Sequence, residues 1–166
     1  MDHEHTSWSQ SVTAVVIEDH KVLLARHSYG AGAGKLIIPG GYCGIGESPV
    51  DAVKREYLEE TKVVIEPKDI IGIRTNSRDW YLAFRGDYVS GDPVSDMDEN
   101  SEVLWIDVDD ALMRDDVPSL TKDLIKCALS PCTGLVSLPY EASIKYDSGL
   151  LFGTPGTLSQ ESASDS

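Results

Sequence analysis

The chain is poor in basic residues and lacks long apolar stretches. It has 14 lysines and arginines against 28 acidic residues, which gives a formal net charge of −14 at pH 7. Binding of nucleic acid polymers through their phosphates needs clustered cationic side chains, so we expect no nucleic acid polymer as a partner. No apolar run approaches the ~20 residues that cross a bilayer, so we expect no membrane-spanning segment.

Cysteines are few, and nothing in the first residues resembles a targeting segment. Cys43, Cys127 and Cys132 are odd in number and lack the spacing of a zinc site. We interpret them as reduced thiols, with Cys127 packed on a helix. Residues 1–5 do not have the pattern of a signal peptide. We therefore expect a cytoplasmic protein.

The length and the apolar content of the chain predict one compact domain. The 166 residues with 41% hydrophobic content are enough for a proper core. We expect a flexible N-terminus over residues 1–10 and the domain over residues 11–153. Residues 132–153 either extend the sheet or build a homodimer contact. Residues 154–166 are predicted to be a disordered acidic tail.

A glycine-rich loop that runs into an acidic helix organises the rest of the chain. Residues 40–49 contain four glycines and end in Ser48 and Pro49. Serine is a good helix cap, and proline suits the first helical position. Val53 and Tyr57 fall on one flank of the predicted helix and form its buried stripe.

Three carboxylates crowd the end of this helix. Glu56, Glu59 and Glu60 are related as i, i+3 and i+4 and share an arc of roughly 100°. Like charges at these spacings repel by roughly 0.2–0.5 kcal/mol per pair, and the C-terminal turn of a helix prefers cations. A solvated acidic face would be the simpler interpretation. The glycine loop in front favours a site for a divalent cation, since magnesium takes one or two carboxylates together with water and substrate phosphates.

These residues resemble the signature of the Nudix hydrolase family. That signature runs G, five residues, E, seven residues, R-E, an apolar residue, one more, E-E, one more, G and an apolar residue. Here Gly41, Glu47 and residues 55–63 match it with every charged position in place. Two positions depart from the common pattern. Lys62 replaces the glycine after the helix, where a left-handed backbone is common, and Tyr57 fills the apolar position.

The resemblance implies a fold and a metal site. The fold would be an α/β/α sandwich with a mixed β-sheet, covering most of residues 11–129. Glu56, Glu59, Glu60 and the carbonyl of Gly40 would hold Mg²⁺, with Mn²⁺ as the alternative ion. Arg55 would brace the loop through Glu47 as part of the catalytic machinery.

The implied reaction is hydrolysis of the pyrophosphate bond in a nucleoside diphosphate linked to another moiety. Glu56 or the loop acid Glu99 would be the general base, with Glu102 as a close alternative to Glu99. Oxidised nucleoside triphosphates, ADP-ribose, NADH and dinucleoside polyphosphates all remain candidate substrates. Two other functions stay open: a domain that binds its nucleotide without cleaving it, and a structural metal-binding helix.

Two further residues are candidates for substrate binding. Arg26 lies near the end of a predicted strand, at a position that resembles a phosphate-binding arginine of the family. A surface ion pair would explain Arg26 equally well. Tyr81 follows the signature at an offset that resembles some dinucleoside polyphosphate hydrolases, although a strand tyrosine usually packs against neighbouring strands.

Alternating and helical patterns predict the remaining elements. We expect a hairpin over residues 11–27, a short buried strand at residues 36–38, and strands at residues 63–65, 70–74 and 80–84. Residues 86–100 are predicted to be a long polar loop. Helices are expected at residues 107–113 and 119–129. The second would begin with Ser119 as its cap and turn inward Leu120, Leu124 and either Cys127 or Ala128.

Overall fold

The computed structural model describes residues 8–140, 142–143 and 149–156. The strands in these residues are β1 (Ser9–Glu18), β2 (Lys21–His27), β3 (Leu36–Ile37), β4 (Gly40–Tyr42), β5 (Val64–Thr75), β6 (Asp79–Ser90), β7 (Asn100–Asp107), β8 (Val136–Leu138) and β9 (Leu151–Gly153). The helices are α1 (Pro49–Thr61), α2 (Val108–Met113) and α3 (Ser119–Leu129). None of the helices in the described part of the chain is long and apolar enough to cross a membrane.

The main sheet is mixed and lies between helices. Its strands run in the order β3-β2-β1-β6-β5, with β4 paired to β1 and β7 paired to β2. β1 runs parallel to β6, while its pairings with β2 and β4 are antiparallel. Helix α1 packs into one apolar cluster and α2 and α3 pack into the other. The predicted α/β/α sandwich is therefore confirmed.

Helix α1 begins as its sequence predicts. The Ser48 hydroxyl accepts a hydrogen bond from the Asp51 amide at 3.1 Å, and Pro49 takes the first turn. Val53 and Tyr57 are fully buried. The Tyr57 hydroxyl donates to the carbonyl of Ala14 at 2.8 Å, which gives the buried ring a partner for its polar end.

The end of α1 keeps the left-handed geometry although a lysine occupies the position. Lys62 has φ 62° and ψ 12°, and its amide donates to the carbonyl of Leu58 at 3.1 Å. A side chain other than glycine is strained in this region. The Lys62 ammonium donates to the Glu59 carbonyl at 2.8 Å, where a cation suits the negative end of the helix dipole.

Replacing Lys62 by glycine should stabilise the protein. Relief of the left-handed strain is worth roughly 1 kcal/mol, from which the lost ammonium contact and the freer unfolded chain subtract, so we expect a net gain of about 0.5 kcal/mol. The measurement is the urea midpoint at constant slope. Lys62→Ala is the matched control, because it removes the ammonium and keeps the strain. A Gly variant that is no more stable than the Ala variant would contradict the strain.

Strands β5 and β6 are longer than their patterns predict. The two strands expected at residues 63–65 and 70–74 form one strand, β5, whose pairing with β6 shifts register around residues 67–72. A bulge of this kind interrupts the alternation of buried residues without ending the strand. Strand β6 continues to Ser90, so the loop expected over residues 86–100 is confined to residues 91–99.

Helix α3 has the predicted limits but a different cap and a different buried face. The residue before its first turn is Pro118, and no side chain caps the helix, so the assignment of Ser119 as the cap was wrong. Leu120 is exposed, contrary to expectation, and of the two alternatives Cys127 is exposed and Ala128 is buried. The inward residues are Thr121, Leu124, Ile125 and Ala128.

The segments at the two ends of the domain are partly described. β1 begins at Ser9, so residues 9–10 belong to the sheet and not to a flexible N-terminus. β8 pairs with β9 in a separate two-stranded sheet, and Phe152 of β9 packs against Phe84 with ring centroids 5.9 Å apart. Residues 1–7, 141 and 144–148, and residues 157–166 of the predicted tail, lie outside the described residues.

Candidate functional site

A cavity opens between β4, the start of β1 and the ends of β2, β5 and β6. Its volume is about 400 Å³. The glycine loop, one glutamate of α1 and the loop before β7 all reach it. The residues that line it are Ser11, His27, Tyr29, Ile37, Ile38, Gly40, Gly41, Tyr42, Glu56, Arg74, Asp79, Tyr81 and Glu99.

Arg55 joins the glycine loop to helix α1. Its guanidinium donates to both carboxylate oxygens of Glu47, at 2.8 and 2.9 Å, and to the carbonyl of Tyr42 at 3.0 Å. The same group donates to Glu56 at 2.7 Å. Arg55 and the amide of Gly44 lower the pKa of Glu47 to about 2. This geometry agrees with the bracing role expected for Arg55 and Glu47.

The three helix carboxylates have different surroundings. Glu60 is 6% exposed and accepts a hydrogen bond from the Gly40 amide at 3.3 Å. The Glu56 carboxylate lies against Gly41, where a Cβ atom would come within 2.4 Å of its Cδ. The Glu59 side chain is 60% exposed and turns to Arg55 at 3.2 Å. Glu56 and Glu60 therefore form the inner pair, and Glu59 lies at the rim.

Burial makes the inner pair costly to ionise. It raises the pKa of Glu60 to about 8, and the charges of Glu99 and Glu56 add to the shift. Burial also raises the pKa of Glu56, although Arg55 opposes the change. Two buried carboxylates that repel each other gain most from a cation placed between them.

The donor set fits a hard divalent cation. Carboxylates and a backbone carbonyl are oxygen ligands, which suit magnesium better than softer metals. The buried Asn100 side chain lies beside Glu60 outside ideal hydrogen-bond geometry, and its amide partly opposes the rise in the pKa of that carboxyl. Among the described residues, the group of three or more His, Cys, Asp or Glu side chains with all ligand atoms within 4.8 Å of one another is His20, Asp107 and Asp109, at the opposite end of β1. Glu56, Glu59 and Glu60 do not meet this limit together.

Glu99 and Glu102 are separated by the structure. Glu99 lines the cavity, and its charge contributes to the raised pKa values of Glu56 and Glu60. Glu102 pairs with Arg26 at 2.8 Å and does not belong to the cavity lining. Of the two acids left open by the sequence, Glu99 is the one that can reach a bound substrate.

The two predicted substrate-binding residues differ in their positions. The guanidinium of Arg26 donates to Glu102, to Asp116 at 3.1 Å and to the Gly34 carbonyl at 2.9 Å. The structure thus places Arg26 in ion pairs outside the cavity lining. Tyr81 lines the cavity, and the guanidinium carbon of Arg74 lies 5.3 Å from its ring centroid.

Sequence reasoning missed several residues of the cavity. Ser11, His27, Tyr29, Arg74 and Asp79 come from different parts of the chain and carry no motif. Strand pairing brings them together. The register of this pairing depends on tertiary contacts, which the sequence of one strand does not show. The sequence signal that could have indicated them is a pair of opposite charges, Arg74 and Asp79, at the facing ends of two predicted strands.

Comparison with known proteins agrees with this geometry. A family model described as the NUDIX domain matches residues 8–126. This chain belongs to the Nudix hydrolase family. A solved Nudix hydrolase from Nitrosomonas europaea superposes with a TM-score of 0.61 at 29% identity, covering 73% of this chain and 88% of that one.

Curated relatives are similar to this chain over only part of their own length. The NAD-capped RNA hydrolase NudC of Pseudomonas syringae pv. tomato is 31% identical over 132 residues, which is 76% of this chain and 46% of that protein. The ADP-ribose pyrophosphatase of Methanocaldococcus jannaschii is 32% identical over 63 residues, or 38% of this chain and 37% of that protein. The chain spans less than half the length of the curated relatives it matches.

Proposed function

We propose that this Nudix domain hydrolyses the pyrophosphate bond of a nucleoside diphosphate linked to another moiety, with Mg²⁺ as its cofactor and Mn²⁺ as the alternative. The observation that carries the proposal is the pairing of the buried Glu60, which accepts from the Gly40 amide, with the partly buried Glu56, which lines a cavity of about 400 Å³ together with Gly40 and Gly41. Burial raises the pKa of both carboxyls, and a cation beside them would favour their ionised forms.

Glu56, Glu59, Glu60 and the Gly40 carbonyl would hold the ion. When bound, Mg²⁺ neutralises phosphate oxygens and makes water a stronger nucleophile at neutral pH. Glycine at position 41 lets the loop lie against the Glu56 carboxylate, because a side chain there would collide with Glu56. Arg55 holds the loop in place through hydrogen bonds to Glu47 and the Tyr42 carbonyl, and it holds the Glu56 carboxylate through another.

Proton transfer has two candidate bases, and both reach the cavity. Glu56 is fixed by Arg55, so its free oxygen is already oriented. Glu99 is an exposed loop acid that also lines the cavity, close enough for its charge to raise the pKa of Glu56. A general base must lie within hydrogen-bond reach of the attacking water, and both residues line the cavity where that water would bind.

The names of the relatives narrow the substrate class. An ADP-ribose pyrophosphatase and NAD-capped RNA hydrolases are among the similar proteins, so ADP-ribose and NADH are our first candidates. Oxidised nucleoside triphosphates and dinucleoside polyphosphates follow. The net charge of −14 favours a small nucleotide over a nucleic acid polymer.

A substrate panel tests the proposal. The purified protein is incubated with each candidate nucleotide in Mg²⁺ buffer, and products are separated by anion-exchange chromatography. We expect two phosphorylated products from at least one nucleotide and none after chelation of the metal. Binding of a nucleotide without products would instead identify a sensor domain, and neither binding nor products would leave only the structural role of the acidic helix.

Three further predictions concern the cellular location, the domain limits and the oligomeric state of the protein. We infer a cytoplasmic location, residues 11–153 as the catalytic domain, and residues 132–153 as the segment available for a homodimer contact. The described part of this segment contains β8 and β9, which form a small sheet beside β5. Sedimentation analysis of the full chain against a chain truncated after residue 131 tests the dimer.

A further inference from the structure

Four cavity residues form one row across the sheet. Ser11 of β1 pairs with Tyr42 of β4 on one side and with Tyr81 of β6 on the other, and Tyr81 pairs with Arg74 of β5. Residues that face each other across a ladder point to the same side of a sheet. All four line the cavity, so this row is its floor.

The row has a metal end and a far end. The β4 end adjoins Gly41, which lies against the Glu56 carboxylate. The Arg74 backbone lies three strands away, and its guanidinium carbon lies 5.3 Å from the ring centroid of Tyr81 on β6. Two strand spacings, roughly 10 Å, separate β6 from β4, so a group bound at this guanidinium lies beyond the part of the substrate at the metal end.

The far end carries an arginine whose charge is already neutralised. Arg74 donates to Asp79 at 2.6 and 3.4 Å, and the Ser11 hydroxyl donates to Asp79 at 3.1 Å. The side chains of Arg74 and Asp79 are 33% and 17% exposed. A guanidinium has five N–H donors, and the contacts in the described residues direct two of them to Asp79. Three donors remain for a ligand or water.

This pair suits a neutral polar ring better than a phosphate. Asp79 would repel an anion, and it presents an acceptor next to the free donors of Arg74. The Watson–Crick edge of a nucleobase presents the complementary pattern, a hydrogen-bond donor beside an acceptor. Arg74 is the one arginine or lysine among the described residues of the cavity lining.

We propose that Arg74 and Asp79 bind the edge of the substrate's nucleobase, with Ser11 and Tyr81 holding the pair in place. The proposal rests on the proposed function, because the base belongs to the nucleotide whose diphosphate lies at Glu56 and Glu60. It makes the β5–β6 end of the cavity the determinant of base preference. Sequence motifs of the helix do not contain this information.

Calorimetry with product-like nucleotides tests the proposal without any hydrolysis. AMP, GMP, CMP and UMP are titrated into the full chain in Mg²⁺ buffer, with ribose 5-phosphate as the probe that lacks only the base. We expect at least one nucleotide to bind tenfold or more tightly than ribose 5-phosphate. Arg74→Ala and Arg74→Lys should each remove that advantage, since a lysine keeps the charge and loses the fork.

The matched control is Arg78→Ala, which removes an exposed arginine from the adjacent β5–β6 connection outside the cavity lining. It should bind every probe as the unaltered chain does. Asp79→Asn should change the order of preference among the four bases, because an amide replaces an acceptor with a donor. Urea denaturation of each variant establishes that it is folded.

Two outcomes would overturn the proposal. If no nucleotide binds more tightly than ribose 5-phosphate, the cavity does not recognise a base. If Arg74→Lys and Arg74→Ala weaken ribose 5-phosphate as much as the nucleotides, Arg74 binds phosphate. Neither outcome depends on hydrolysis, so failure of the proposed function in the substrate panel is distinguishable from failure here.

Discussion

Replacing Glu60 by glutamine is expected to lower kcat at least a thousandfold on whichever nucleotide the chain hydrolyses. The amide can still accept the hydrogen bond from Gly40 but supplies no negative charge to a divalent cation. Loss of metal charge stabilisation at that scale corresponds to about 4 kcal/mol in the activation barrier. The measurement is steady-state hydrolysis at saturating nucleotide and millimolar Mg²⁺.

Two further variants serve as the comparison and the control for this result. Glu59→Gln should also lose activity by orders of magnitude but less than Glu60→Gln, because Glu59 lies at the exposed rim. Glu66→Gln changes an exposed glutamate of β5 that pairs with Lys54 at 2.8 Å, and it should keep full activity. Calorimetry should find weaker Mg²⁺ binding in Glu60→Gln. Unchanged turnover in that variant would refute the ligand assignment.

Helix α1 was predictable because its signals are local. The Ser48 cap, Pro49 and the spacing of Val53 and Tyr57 act within a few turns, and the structure has each of them as expected. The end of the helix departs from the signature, because Lys62 replaces its glycine. The chain nevertheless keeps the left-handed turn and accommodates the strain.

Sheet details were less predictable because they depend on partners. The bulges in β5 hide its continuity, and β6 extends to Ser90 through pairing with β5 over residues 64–66. Burial on α3 follows the sheet it packs on, so Cys127 turned outward and Ile125 inward. Such choices are set by contacts far apart in the chain.

The candidate site also has one part that was predictable from the sequence and one part that was not. Its acidic end is a contiguous motif, so helical spacing pointed to Glu56, Glu59 and Glu60, and the resemblance to the Nudix signature implied roles for Gly40 and Glu47. Its far end is assembled by the register of four strands, so Arg74 and Asp79 could not. The sequence position of Arg26 resembled that of a phosphate-binding arginine. In the structure its guanidinium donates hydrogen bonds to two carboxylates and a carbonyl.

The buried Glu60 also predicts how stability depends on pH without metal. Its pKa is about 8 in the folded chain, and the ordinary value of 4.5 applies to the unfolded chain. The folded state therefore binds more protons between these values, and the free energy of unfolding falls as pH rises from about 4.5 to 8. We expect the chain in EDTA to lose about 5 kcal/mol across this window through Glu60.

Comparison with Glu60→Gln isolates that contribution, because the two proteins differ in this one ionisable group. At pH 9 in EDTA the glutamine variant should be the more stable by about 5 kcal/mol, and at pH 4.5 the two should be nearly equal. Adding Mg²⁺ at pH 9 should narrow this difference, since the unaltered chain binds the metal more tightly than the variant. Urea unfolding at each pH is the measurement. Parallel curves for the two proteins would mean that Glu60 ionises freely, and the cation would then have no carboxylate repulsion to relieve.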